Sequence, residues 1–134
     1  AEAAGEPLHR LRGRLPLPAA GTVIADERKL RGRSGPGVLV SGALGSPIEA
    51  VARGRVVFAD WLRGFGLLLI IDHGDGYLSL YAHADALYAD VGDWVTQGET
   101  IGAMGTSGGL ARPAVYFELR ENGSPVETLA WLRR

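Results

Sequence analysis

Apolar residues fall along this chain in short, dense runs, each closed within a few residues by glycine or proline. Twenty glycines and seven prolines supply that punctuation, so no run is long enough for a core helix. The β-rich stretches predict strands at about 36–41, 54–61, 65–72, 77–83, 99–104 and 114–120. Arg55 to Ala59 and Leu67 to Ile71 have the apolar density of central strands. Gly64-Phe65-Gly66 reads as a short turn, and Gly74-Asp75-Gly76 as a hairpin turn. Helix is scarce: one turn is expected at 84–88 and another from Glu127 to Leu132. The pattern predicts an all-β domain, an antiparallel curled sheet or sandwich with little helix.

The first part of the chain follows a different rule. LRGRLPLP is too proline-rich for a core strand and reads as an extended lead-in over the surface. Asp26 to Arg33 is charged and reads as a loop. The expected division is a lead-in and charged loop over 1–34 and one domain over 35–134. A chain of 134 residues fits a single domain of that kind.

Composition narrows the function classes. A hydrophobic share of 46% supports a real core, and 22% charged residues argue against disorder. A net charge of −1 gives no reason to expect nucleic acid as a partner. The charge is uneven, however. Residues 1–33 hold seven of the fourteen basic side chains and four acids, whereas residues 49–99 hold eight acids and three arginines. No cysteine is present, which excludes disulfides and thiol catalysis. No run approaches the ~20 apolar residues of a membrane-spanning helix, and the start AEAAGEPLHR has no signal-peptide pattern.

Candidate chemistry is thin. Of the three histidines, His9 lies in the lead-in, and His73 sits at the predicted hairpin turn, where local hydrogen bonding explains it. His83 ends a predicted strand with Asp85 two residues on, but no nucleophile or metal partner accompanies it, which favours a structural or binding role. Ser107, in Gly105-Thr106-Ser107-Gly108-Gly109, lacks the G-x-S-x-G frame of a hydrolase and reads as a flexible connection. Residues 35–47, GPGVLVSGALGSP, have the rhythm of a catalytic strand and turn but hold no His, Asp, Glu or Cys. Val91 to Gly102 also looks like the hybrid barrel of biotinyl carrier domains. That reading fails because the only lysine, Lys29, lies in the charged loop rather than on a hairpin turn.

The ordered punctuation resembles the LytM domain, the lysostaphin-type zinc metallopeptidase family that cuts peptidoglycan. Active members carry a first motif His-x-Gly-apolar-Asp-apolar followed by Gly-Thr-Pro-Val. Gly37-Val38, Val40 and Gly45-Ser46-Pro47-Ile48 follow it. Ala52-Arg53-Gly54-Arg55-Val56, Gly64-Phe65-Gly66, Ile71-Asp72-His73 and Tyr81-Ala82-His83 match the next segments in order. Val95, Gly98, Ile101, Gly102 and Gly105 match the run after those, and Phe117-Glu118 is what remains of the last motif, His-x-His-Phe-Glu. The resemblance implies the LytM fold, of the duplicated-hybrid-motif type, over roughly 35–132.

It also implies a loss. The positions that hold zinc in active members are here Gly35, Leu39 and Tyr116, and a further catalytic histidine falls at Ala114. Only His83 survives of that set. Zinc chemistry needs about three protein ligands and an open position for water, so no catalytic residue, metal or cofactor is expected.

Domains of this family that have lost zinc ligands include activators of cell-wall amidases. Ala59 to Gly66, Ser107 to Pro113 with Tyr116-Phe117-Glu118, and Trp131-Leu132 look specific to that branch. What the resemblance implies is a vacant groove lined by Phe65, Tyr81, His83, Tyr116 and Arg120. The groove would capture the autoinhibitory helix of a periplasmic zinc N-acetylmuramoyl-L-alanine amidase and promote cleavage of septal peptidoglycan during division. Relatives of this branch carry an export signal and a coiled coil upstream, implying a membrane complex at the division site. The alternative is a non-catalytic module that binds peptidoglycan itself.

Overall fold

A computed structural model describes residues 6–24 and 37–133 of the chain. Ten strands form one antiparallel sheet system: β1 (Thr22–Ile24), β2 (Val38–Ser41), β3 (Pro47–Glu49), β4 (Gly54–Leu62), β5 (Gly66–Gly74), β6 (Tyr77–Leu87), β7 (Trp94–Val95), β8 (Thr100–Met104), β9 (Ala114–Glu121) and β10 (Ser124–Pro125). The principal order is β1-β2-β9-β6-β5-β4-β7, with β10 on β9 and the β3–β8 pair joined through β6. The expected all-β, antiparallel class with little helix is what the chain forms.

Strand alternation divides the side chains between two apolar clusters. On β9, Val115, Phe117 and Leu119 enter the main core, where Val38, Val40, Leu69, Ile71 and Tyr81 also lie. Ala114 and Tyr116 project to the other face, onto a smaller cluster with Leu39, Leu68, Leu80 and Ala82. A register shift between Val56 and Phe58 moves β4 from one face to the other, so that Phe58 joins the smaller cluster while Val57 is exposed. Burying a side chain of Phe or Leu size stabilises by roughly 1.5–3 kcal/mol, so the main core carries most of the stability.

Both predicted turns form, and for the reason glycine predicts. Asp75 and its two flanking glycines all take positive φ. Gly66 has φ +67°, and a Cβ there would sit 2.3 Å from Ser107 Oγ. Substitution would therefore push the 105–113 loop off the β4–β5 hairpin.

Three expectations fail in instructive ways. Residues 84–87 continue β6 rather than forming a helical turn, because Ala84, Ala86 and Leu87 pair with Met104, Ala103 and Gly102 of β8. Partner-strand hydrogen bonding overrides the local pattern. The proline-rich lead-in does not lie over the surface. Leu8 and Leu15 are buried in the main core, and Leu8–Leu11 forms a 3-10 turn. Its backbone bonds run to the chain end: Gly13 N and Leu15 N donate to the Trp131 carbonyl, and Arg133 N to that of Leu15. The 105–113 loop is pinned rather than flexible, since Ser107 Oγ donates to the Ala84 carbonyl and accepts from Leu67 N. The 3-10 turn Thr128–Trp131 matches the expected final turn, while the charged loop 26–33 lies outside the described residues.

Candidate functional site

The face of β9 that looks away from the main core carries Ala114, Tyr116, Glu118 and Arg120 in a row. Register places Leu39 of β2 and Ala82 of β6 on either side of Tyr116. Leu80 stands opposite Glu118, and Leu78 opposite Arg120. The Phe65 ring, carried by the β4–β5 turn, lies 6.3 Å from the Tyr116 ring at a tilt of 48°. Ala114 and Arg120 are six strand steps apart, a span of roughly 20 Å.

The polar part of this row is a closed network. Tyr116 Oη donates to one carboxylate oxygen of Glu118 at 2.5 Å, and Arg120 Nε donates to the other at 2.5 Å. Arg120 also reaches the Gly123 carbonyl. The Glu118 side chain is buried, whereas that of Arg120 is about one-third exposed. A buried carboxylate is tolerated because both its oxygens are satisfied. Its charge and bonds hold the guanidinium at the rim.

At the Ala114 end a cavity of about 600 Å³ opens between β1, β2, β9 and the 105–113 loop, lined by Ile24, Leu39, Ser41, Leu110, Arg112 and Ala114. The site is therefore an elongated strip, hollow at one end, where Arg112 and Ser41 join the apolar lining, and closed by the Arg120 guanidinium at the other.

Of the five residues expected to line a groove, Phe65, Tyr116 and Arg120 are brought together on this face. Tyr81 is not. It pairs with Phe117, points into the main core, and packs its ring 5.3 Å from that of Phe117. Its hydroxyl accepts from Val51 N, and burial pushes its pKa up to about 12. His83 is buried behind the Phe65 turn: its N–H donates to the Phe65 carbonyl, and Nδ1 lies 2.7 Å from the Ser107 carbonyl. That carbonyl can only accept, so Nδ1 carries the proton. The Tyr81 ring faces the main core, which corrects the expectation that it lines the row.

His73 also departs from its expected local role. It belongs to β5, and its ring bridges the Arg53 carbonyl and Ser79 Oγ on neighbouring segments. Sequence pattern alone does not single out Glu118 as the organising group or Leu110 as a cavity wall. The i, i+2, i+4 spacing of Tyr116, Glu118 and Arg120 was the available signal.

Residues 33–128 match the family model described as Peptidase family M23. The chain belongs to peptidase family M23. The M23 chain is 41% identical over 98 residues to the murein hydrolase activator EnvC of Escherichia coli K12, covering 73% of this chain and 23% of EnvC. It is 41% identical over 97 residues to the murein hydrolase activator NlpD of the same organism, covering 72% of this chain and 25% of NlpD. It thus spans about a quarter of the length of each. Among solved structures, Csd3 of Helicobacter pylori superimposes with a TM-score of 0.76 at 28% identity, over 90% of this chain and 33% of that one.

The M23 family implies zinc, and the residues here do not fit it. Leu39 is apolar and buried. The Tyr116 ring rests on Gly37, where a Cβ would come within 2.4 Å of Cζ, and its hydroxyl is committed to Glu118. Ala114 has no donor atom, and Gly35 lies outside the described residues. Among the described residues no three His, Cys, Asp or Glu side chains converge as a metal site.

Proposed function

We propose that this domain is a non-catalytic activator of periplasmic zinc N-acetylmuramoyl-L-alanine amidases, acting at the Gram-negative division septum. It takes up the amidase's autoinhibitory helix on the Ala114–Arg120 strip and so uncovers the partner's active site. The observation that carries the reading is the strip itself. A hollow, partly apolar surface ends in a guanidinium held by a buried carboxylate, and two of its side chains, Leu39 and Tyr116, stand where the resemblance puts zinc ligands. The strip's ~20 Å matches about thirteen residues of helix at 1.5 Å per residue. A helix laid along it would seat apolar anchors in the cavity near Leu110 and an acidic or carbonyl-rich end against Arg120. Similarity to EnvC and NlpD, both named murein hydrolase activators, supports the same direction.

The partner is treated as a two-state enzyme, and the domain shifts it by binding one state better. The test is dye release from labelled peptidoglycan by a purified periplasmic amidase, with and without the domain. Release in the mixture, and none from the domain alone, is the expected result. Release by the domain alone overturns the non-catalytic reading. No release in either case overturns the activator reading for this domain.

A further inference from the structure

The two arginines of the strip differ in what their charge already meets. Arg120 donates to the buried Glu118 carboxylate and to the Gly123 carbonyl, so its charge is offset in place. Arg112, at the cavity end, is exposed, and its side chain enters no ion pair or hydrogen bond among the described residues. Ser41, half-buried on β2, is the other polar side chain of the cavity lining, and its hydroxyl likewise has no partner among the described residues. Around these two the wall is apolar, carried by Ile24, Leu39, Leu110 and Ala114.

The backbone that carries Arg112 is held on both sides. Leu110 N donates to the Thr106 carbonyl, Ala114 N to the Gly105 carbonyl, and Gly42 N to the Pro113 carbonyl. Ser107 ties the front of the same loop to β5 and β6. Little backbone ordering therefore opposes binding at this end. The guanidinium offers forked donors that match a carboxylate, and the serine hydroxyl adds one more. A carboxylate entering a mostly apolar cavity needs such donors, because burial without them is strongly disfavoured. A basic side chain would meet like charge there. A wholly apolar one would cover the guanidinium without giving it an acceptor. The cavity, at about 600 Å³, has room for an acidic side chain together with apolar neighbours from the same helix face.

We propose that Arg112 and Ser41 select the partner, by reading an aspartate or glutamate that the amidase's autoinhibitory helix carries among its apolar anchors at the cavity end. This inference rests on the activator reading and names the chemistry of the helix. The acid lies about thirteen residues, nearly four turns, from the residues that meet Arg120. The recognised helix thus has a carboxylate set inside its apolar stripe, a position that an ordinary amphipathic helix fills with an apolar residue. Discrimination by charge resides at the cavity, where the cation is not yet paired.

The test is a charge-swap titration between the domain and a purified periplasmic N-acetylmuramoyl-L-alanine amidase, read by calorimetry. The amidase is used as wild type and as variants in which one Asp or Glu of its autoinhibitory helix at a time becomes Lys. Arg112→Glu is expected to weaken binding at least about tenfold. Arg112→Lys should lose less, because it keeps the charge and gives up only the fork. Added salt should weaken the wild type more than Arg112→Ala. On the Arg112→Glu background, one acid-to-Lys change in the helix should restore binding, although the same change weakens binding to the wild-type domain. NMR spectra of each domain variant report that it is folded. Unchanged affinity of Arg112→Glu, or restoration by none of the reversals, would overturn the proposal. So would weaker retention of Arg112→Glu on amidase-free peptidoglycan with its amidase affinity intact, which would assign the arginine to the wall polymer. An amidase that binds wild type and Arg112→Glu equally leaves the activator reading standing and removes only this one, whereas an amidase that does not bind the wild-type domain overturns both.

Discussion

Strand β9 presents two faces built by opposite rules. One face, Val115, Phe117 and Leu119, is fully buried among aliphatic and aromatic neighbours. The other, Ala114, Tyr116, Glu118 and Arg120, begins at a cavity, passes through a buried acid and ends in a partly exposed cation. The first face holds the sheet together by excluding water. The second uses burial and hydrogen bonds to hold a charge in place at the rim. Alternate positions of one strand thus serve different ends, close packing on one face and a fixed charge on the other.

The sharpest test of that division is Phe117→Ala. It opens a cavity in the closed face, and the expected loss is ~3–5 kcal/mol of stability, read by urea denaturation. A loss under about 1 kcal/mol would break the comparison at once, because the core face would then be no more essential than the rim.

Glu118→Ala comes next. It leaves the buried Tyr116 hydroxyl without its acceptor and releases Arg120, at an expected cost of roughly 2–3 kcal/mol. Glu118→Gln keeps a neutral acceptor for Tyr116 and should cost about half as much. The pair separates the hydrogen bond from the charge. If Glu118→Gln matched the wild type in stability and in amidase activation, the carboxylate's charge would have no role in setting Arg120.

Arg120→Ala should reverse the pattern seen at Phe117. Its side chain is about one-third exposed, but its loss leaves one oxygen of the buried Glu118 carboxylate unpaired, so a stability cost of roughly 1–3 kcal/mol is expected, below that of Phe117→Ala. Activation of the amidase should nevertheless fall at least about tenfold in the dye-release assay. Tyr116→Phe, which removes only the hydroxyl, is a cleaner probe of the same face than truncation to Ala, because the ring also packs on Gly37. Undiminished activation by Arg120→Ala would remove the cationic end from the proposed site.

The sequence made the long strands legible because their apolar runs are dense and their turns are glycine-marked. Both β4–β5 and β5–β6 formed where Gly64-Phe65-Gly66 and Gly74-Asp75-Gly76 predicted them. Short strands escaped for the opposite reason. The two-residue β7 and β10 and the three-residue β1 and β3 have no periodicity of their own and exist only through their partners. Leu8 and Leu15 were misjudged because their packing partners, such as Trp131 and Leu132, lie more than a hundred residues away. At the site, Phe65, Tyr116 and Arg120 were legible as candidates. Tyr81 was not separable from them, since its face depends on its pairing with Phe117 across β6 and β9, which spacing along one strand cannot reveal.

That misplaced tyrosine belongs to a polar thread on the core face, and the thread carries the smallest effect. Val51 N, Tyr81 Oη, Ser79 Oγ, the His73 ring and the Arg53 carbonyl are linked in sequence. The carbonyl can only accept, so His73 Nδ1 is the donor and Nε2 of the neutral ring accepts from Ser79. Every group is then satisfied, with Tyr81 donating to Ser79 and accepting from Val51. Protonating Nε2 turns Ser79 around and leaves the Tyr81 hydroxyl proton facing two donors. Burial accordingly lowers the His73 pKa below its ordinary 6.5, against opposing pulls from the Arg53 carbonyl and Asp72. The unfolded chain therefore binds more protons than the folded one below that pH. Stability should hold steady above about 6.5 and decline as pH falls through the lowered folded value. Urea denaturation of wild type and His73→Gln at pH 7.5 and pH 5.5 isolates the contribution. The wild type should lose more on acidification than the variant does, with the Arg120 face unaffected. Equal losses would mean that the thread tolerates a charged histidine, and that the core face is less intolerant of charge than its packing implies.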